Sequence, residues 1–170
     1  MTKRLFVVVA ALGLVGVSLI GQSKPSIQGV WRPVEVTITN PTPTRGNLTK
    51  GTHTELQPAL LIFTAKHFAT VTDQAAKPRP TVGFKVADKP TAEEMQAIWG
   101  PFAANAGTYE LSGSTLIRRA IVAKNPANQH EKVVQRSTIK LEGNNLWLTT
   151  IENVTGKIAN PATVKYVRLE

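Results

Sequence analysis

The chain reads as an all-β protein, an up-and-down antiparallel β-barrel with one short lid or capping helix. Three observations predict this. Gly107–Ile151 divides into two hairpins, with turn residues at Ser112-Gly113-Ser114 and Gly143-Asn144-Asn145. The whole chain offers seven to nine short strands and no βαβ alternation. The strands follow one another through hairpins, with no long crossover among the last five, which favours a barrel over a sandwich.

The N-terminus carries Lys3 and Arg4 ahead of an apolar or small-residue run, Leu5–Gly21, which Gln22-Ser23-Lys24 ends abruptly. That layout predicts a signal peptide over 1–23, cut after Ser23, and one barrel domain over 24–170. The alternative is an uncleaved anchor, although the run is short for a bilayer span. The expected location is secreted or periplasmic, with no stable membrane insertion once the signal is cleaved. The chain has no cysteine, which excludes disulfides, thiol nucleophiles, thiolate metal sites and a lipid-modified N-terminal cysteine. A domain of this size buries enough surface to stand without such staples.

The net charge is +9, two units of which belong to Lys3 and Arg4. The basic residues are scattered, with no run of three, and the aromatics lie inside apolar stretches. Nucleic-acid binders gather their charge on one face among aromatics, so no nucleic-acid partner is expected. A weakly basic surface can still attract anionic partners.

In chain order, Gly29–Thr39 alternates, with Val30, Val34, Val36 and Ile38 on one face and a bulge or edge expected at Pro33, which has no N–H to donate. Asn40–Gln57 reads as a long loop, and Pro58–Thr72 as a hairpin turning near Ala65-Lys66. The first strand of that hairpin is apolar on both faces, so its outer face is expected to be partly covered. Asp73–Pro90 is basic and punctuated by proline, with a short strand possible at Val82–Val86. Thr91-Ala92-Glu93-Glu94 is a capping box. Met95, Ile98, Trp99 and Phe102 follow at helical spacing, in a helix weakened at Gly100-Pro101 and ended by Gly107.

Two-residue turns fix the phase of the last two hairpins. Tyr109 and Leu111 share a face with Leu116, Arg118, Ala120 and Val122. Val133, Gln135, Ser137, Ile139 and Leu141 share one with Leu146, Leu148 and Thr150. These faces are the expected interior; Trp147 falls outside. The last strand lies within Val164–Glu170.

In these residues the chain resembles the secreted lipocalin-like domain family of the calycin superfamily. The resemblance rests on Gly29-Val30-Trp31-Arg32, the PALLIFTAKHFATV hairpin, the TAEEMQAIWGPFAANAGTYEL segment and the LEGNNLWLT hairpin. It implies that Trp31 closes one end of the barrel against Arg168, with Lys165 as the other candidate, a structural and not a ligand-binding role. Lipocalins usually carry a disulfide, and this chain departs from them there.

No catalytic residue is expected. His53, His67 and His130 fall in loops or a turn without metal-ligand spacing, Glu93 and Glu94 are used in helix capping, and Ser112-Gly113-Ser114 joins strand to strand. No metal and no cofactor is implied. Binding is the better expectation, because an eight-stranded barrel is just wide enough to hold one small ligand or to be filled by its own side chains. Candidate ligand-binding residues are Tyr109, Arg118, Gln135 and Ser137 from the inner face, with Trp99 and Phe102 from the helix as lid. A buried Arg118 needs a partner: Tyr109, Glu35, water or an anionic ligand. The expected function is a non-enzymatic, monomeric, exported carrier of a small apolar or amphiphilic molecule. The alternative is a filled-core barrel that uses its basic surface on an anionic partner.

Overall fold

A computed structural model describes residues 26–40, 49–80 and 90–170. The signal segment and the Val82–Val86 strand lie outside the described residues. Strands β1 (Gly29–Ile38), β2 (Gly51–His53), β3 (Ala59–Phe63) and β4 (His67–Asp73) precede helix α1 (Ala92–Trp99). Strands β5 (Phe102–Ser112), β6 (Thr115–Ala123), β7 (Gln135–Glu142), β8 (Asn145–Asn153), β9 (Gly156–Lys157) and β10 (Thr163–Arg168) follow. The sheet order is β1-β3-β4-β5-β6-β7-β8, and β10 pairs with both β8 and β1. All pairings are antiparallel, so eight strands close into a barrel; β2 and β9 are short additions to β1 and β8.

The turn chemistry sets the register as the sequence predicts. Gly113 and Gly143 adopt φ of 58° and 55°, a region glycine enters without strain. Ser112 therefore faces Thr115 and Glu142 faces Asn145. Leu116, Arg118, Ser137, Leu146 and Leu148 point inward and are buried. Trp147 lies on the outer face, with the Lys140 and Lys165 ammonium groups each 5.3 Å from its ring centre.

Three bulges correct the simple alternation. Val34 is the extra residue between Pro33 and Glu35, so Val30 and Ile38 are not on one face. Trp31 is buried before the bulge and Ile38 after it. Ile121 is the extra residue opposite Gly107, which turns Val122 out of the interior; both are more than half exposed. A Cβ on Gly107 would overlap the Arg119 carbonyl oxygen, so the bulge needs glycine there. Ile151 is the third extra residue, between the Arg136 and Ser137 pairings.

The helix is shorter than the apolar spacing suggests. The capping box is made: the Glu94 amide donates to Thr91 Oγ1 at 3.2 Å, and the Thr91 amide to Glu94 Oε2 at 2.7 Å. The helix then stops at Trp99, because Pro101 has no N–H to donate, and Phe102 opens β5 instead of continuing the stripe. No helical residue is buried, and Met95 and Trp99 are exposed. Two further expectations fail. His53 sits in β2, where a loop was expected, and Leu60 and Val71, opposite one another on β3 and β4, are exposed on an outer face expected to be covered.

Candidate functional site

The two ends of the barrel differ. The start of β1, the 64–66 turn, the β5–β6 and β7–β8 turns and the end of β10 meet at one end. Here Ile27, Trp31, Leu61, Phe63, Phe68, Leu116, Leu146 and Leu148 form a continuous core, with Tyr109, Ile139, Leu141 and Tyr166 packed against it. Trp31 is fully buried; its indole N–H donates to the Ile27 carbonyl at 2.7 Å. Arg168, opposite Trp31 in the β1–β10 register, lays its guanidinium 4.1 Å from the ring centre. It also donates to the Gln28 carbonyl, and to the Ser26 carbonyl at 2.6 Å. One arginine thus ties the entering chain, the first strand and the last strand together by cation–π contact and charged hydrogen bonds.

Tyr109 belongs to this closed end. Its hydroxyl donates to the Thr64 carbonyl at 2.8 Å, and its ring packs edge-on against Phe63 with centres 5.0 Å apart. Burial pushes its phenol pKa up. Its hydroxyl is committed to the turn, so Tyr109 is not the Arg118 partner that cross-strand pairing suggested.

Arg118 marks the boundary between the ends. It is 6 % exposed and sits beside Phe68, with its Cζ 5.4 Å from that ring centre. None of the ion pairs among the described residues includes it, and its Nε has no hydrogen-bond partner. Burial pushes its guanidinium pKa down to about 10, while Tyr166 acts the other way. It therefore stays charged at neutral pH. Glu35, the other candidate partner, is opposite Lys165 on the outer side and accepts from the Thr37 hydroxyl at 3.5 Å.

Beyond Arg118 lies a cavity of about 40 Å³, lined by Phe68, Asn105, Arg118, Ala120, Asn128, Val133, Gln135, Asn153 and Val154. Asn128 comes from the short 3-10 turn Pro126–Gln129, and its NH2 group donates to Asn105 Oδ1 at 3.3 Å. Asn153 Oδ1 accepts from both the amide and the hydroxyl of Thr155. Asn153 Oδ1 is thus fully used and Asn105 Oδ1 accepts one bond, which leaves the NH2 groups of both residues as their free donors. Ser137, fully buried next to Gln135's end of β7, shares a hydrogen bond with Thr150 at 3.2 Å.

No family model matches the chain, and no curated protein does. The architecture stands on the structure itself: a closed eight-stranded antiparallel barrel, consistent with a lipocalin- or calycin-like fold.

Of the residues picked from sequence, Arg118 and Gln135 meet at the cavity, Ser137 lies beside them, and Tyr109 is at the other end. Trp99 and Phe102 stack edge-on on each other, 5.9 Å apart, and do not line it. Phe102 instead touches Arg79, which lines a larger open groove of about 450 Å³ together with Gln57, Pro58, Asp73, Pro78, Pro80 and Ile98. The cation there is already used: Arg79 Nε pairs with Asp73 at 2.7 Å, its Nη1 donates to the Ile98 carbonyl, and its Cζ lies 5.1 Å from the Phe102 ring centre. Asn105, Asn128 and Asn153 were missed. Asn105 stands alone in the Ala-rich run FAANAG at the start of a strand, the one local signal that could have found it.

Proposed function

We propose that this is a lipocalin-like binding barrel of the calycin type, exported and non-catalytic, that takes a small molecule into its polar half. The observation that carries the reading is the buried Arg118, charged at neutral pH, with no hydrogen-bond partner at Nε and with its side chain lining a cavity whose other polar residues are neutral amides. A buried guanidinium outside any ion pair among the described residues and with an unsatisfied Nε is costly, and a ligand that compensates its charge would offset that cost. The Trp31–Arg168 pair supports the family reading, since it joins first and last strands in the way the resemblance implies.

The size of the cavity narrows the ligand. Drug-sized ligands occupy about 300–1,000 Å³, far beyond about 40 Å³. An apolar molecule would keep most of its body outside; a polar head is what fits. The test is native mass spectrometry of protein purified from host extract, beside the Arg118→Met variant. A small molecule retained by the first and lost from the second is expected; no retained mass in either contradicts the reading. The second reading, a filled barrel acting through its basic surface on an anionic partner, is favoured by the dense closed-end core. Partner capture unchanged in Arg118→Met would support it.

A further inference from the structure

Resting on that reading, we infer that the Arg118 cavity is a site for one carboxylate group, held by the Arg118 guanidinium and by the side-chain amides of Asn105 and Asn153, with the rest of the ligand outside the enclosed space. Four features lead there.

The first is charge. Arg118 supplies a single positive charge, and the other polar lining residues, Asn105, Asn128, Gln135 and Asn153, are neutral amides. One cation compensates one anionic charge in a desolvated site; a dianion would keep an uncompensated charge there. The second is donor polarity. Asn105 Oδ1 accepts from Asn128 and Asn153 Oδ1 from Thr155, so those two lining amides keep their N–H groups as donors available to a ligand. A guanidinium, which has donors only, together with free amide donors suits an acceptor.

The third is shape. Two adjacent N–H groups of a guanidinium form a planar fork that matches two coplanar carboxylate oxygens. A spherical halide cannot engage both donors in this way, and a tetrahedral oxyanion is bulkier. The fourth is volume. A cavity of about 150 Å³ accepts benzene, so about 40 Å³ has no room for a ring or an alkyl tail. It has room for a group the size of formate or acetate.

The competing explanation is that ordered water fills the cavity beside Arg118 and nothing else binds. The experiment is isothermal titration of the full barrel domain with sodium formate, acetate, decanoate, chloride, sulfate and phosphate at matched ionic strength. The variants are Arg118→Met, Asn105→Ala and, as an outer-face control, Lys165→Ala. Formate and acetate are expected to bind saturably, at least tenfold more weakly to Arg118→Met, several-fold more weakly to Asn105→Ala, and unchanged to Lys165→Ala. Should Arg118→Met fold poorly, Asn105→Ala carries the test. Decanoate is expected within tenfold of acetate; a gain above a hundredfold would mean that its methylenes are buried, and would overturn the inference. Sulfate, phosphate or chloride binding as well as acetate would overturn it too, while leaving a small-ligand barrel intact. No anion binding, together with a retained neutral molecule, would refute the carboxylate site alone. No anion binding and no retained molecule would refute both readings.

Discussion

The closed end and the polar end of this barrel handle arginine in opposite ways. Arg168 lies over Trp31 and spends its donors on the backbone carbonyls of Ser26 and Gln28. Arg118, on the inner face, has an aromatic contact with Phe68 but an Nε without a partner. The first arginine is part of what holds the fold together; the second is a cost to it. A buried guanidinium beside a cavity whose other polar lining residues are neutral amides is the feature on which the proposed binding site rests.

Substitutions at the two ends should therefore differ in sign. The largest effect is expected at Trp31. Trp31→Ala removes a fully buried indole and its hydrogen bond to Ile27, a loss of about 3–5 kcal/mol in urea unfolding. A loss below about 1 kcal/mol would mean that the plug is not structural. Arg118→Met should move the other way. It replaces a desolvated guanidinium with an unsatisfied Nε by an apolar side chain of similar length and is expected to raise stability by about 1–3 kcal/mol. Destabilisation of the same size would place a hidden partner on Arg118.

That difference also has a pH signature. Burial holds the Arg118 pKa at about 10, below the ordinary arginine value. Between about pH 10 and the ordinary arginine range, the unfolded chain binds more protons than the folded one, so the Arg118 contribution to stability rises with pH there. Below pH 10 its penalty is complete and constant. The advantage of Arg118→Met over wild type should therefore shrink above pH 10 and stay flat from pH 6 to 9, as read from unfolding midpoints at each pH. At the small end of the scale, Arg168→Ala should cost about 1–2 kcal/mol through the lost indole contact and carbonyl bonds. Thr149→Val, which breaks the 2.7 Å hydroxyl pair with Thr163 on the outer face, should cost under about 1 kcal/mol.

Much of the closed end was readable from the chain, because its determinants are local. Gly113 and Gly143 sit in two-residue turns, and those turns phase Leu116, Arg118, Ser137, Leu146 and Leu148 inward without any tertiary information. The capping box of α1 was equally local. The polar end was less readable because it is built by bulges and loops. An inserted residue such as Val34, Ile121 or Ile151 leaves little trace in a hydrophobic pattern, yet each reverses which side chains face inward beyond it. Asn128 arrives from a loop and Asn153 from beyond the third bulge, so periodicity could not bring them to Arg118. Phe102 was misplaced for another reason. Helical spacing continued across Gly100-Pro101, where the backbone could not.

The account turns on one end being structural and the other a binding site, and nitrogen–proton NMR reads both ends in a single sample. The Arg118 Nε–H and the Trp31 indole N–H each give a distinct signal, assigned by Arg118→Met and by a Trp31→Phe variant. Titration with acetate is expected to move the Arg118 Nε–H signal saturably and slow its exchange with water, while the Trp31 indole signal stays in place. An Arg118 signal that does not respond to acetate, or one that moves only in step with the Trp31 signal, would contradict the division of the barrel into a structural end and a binding end.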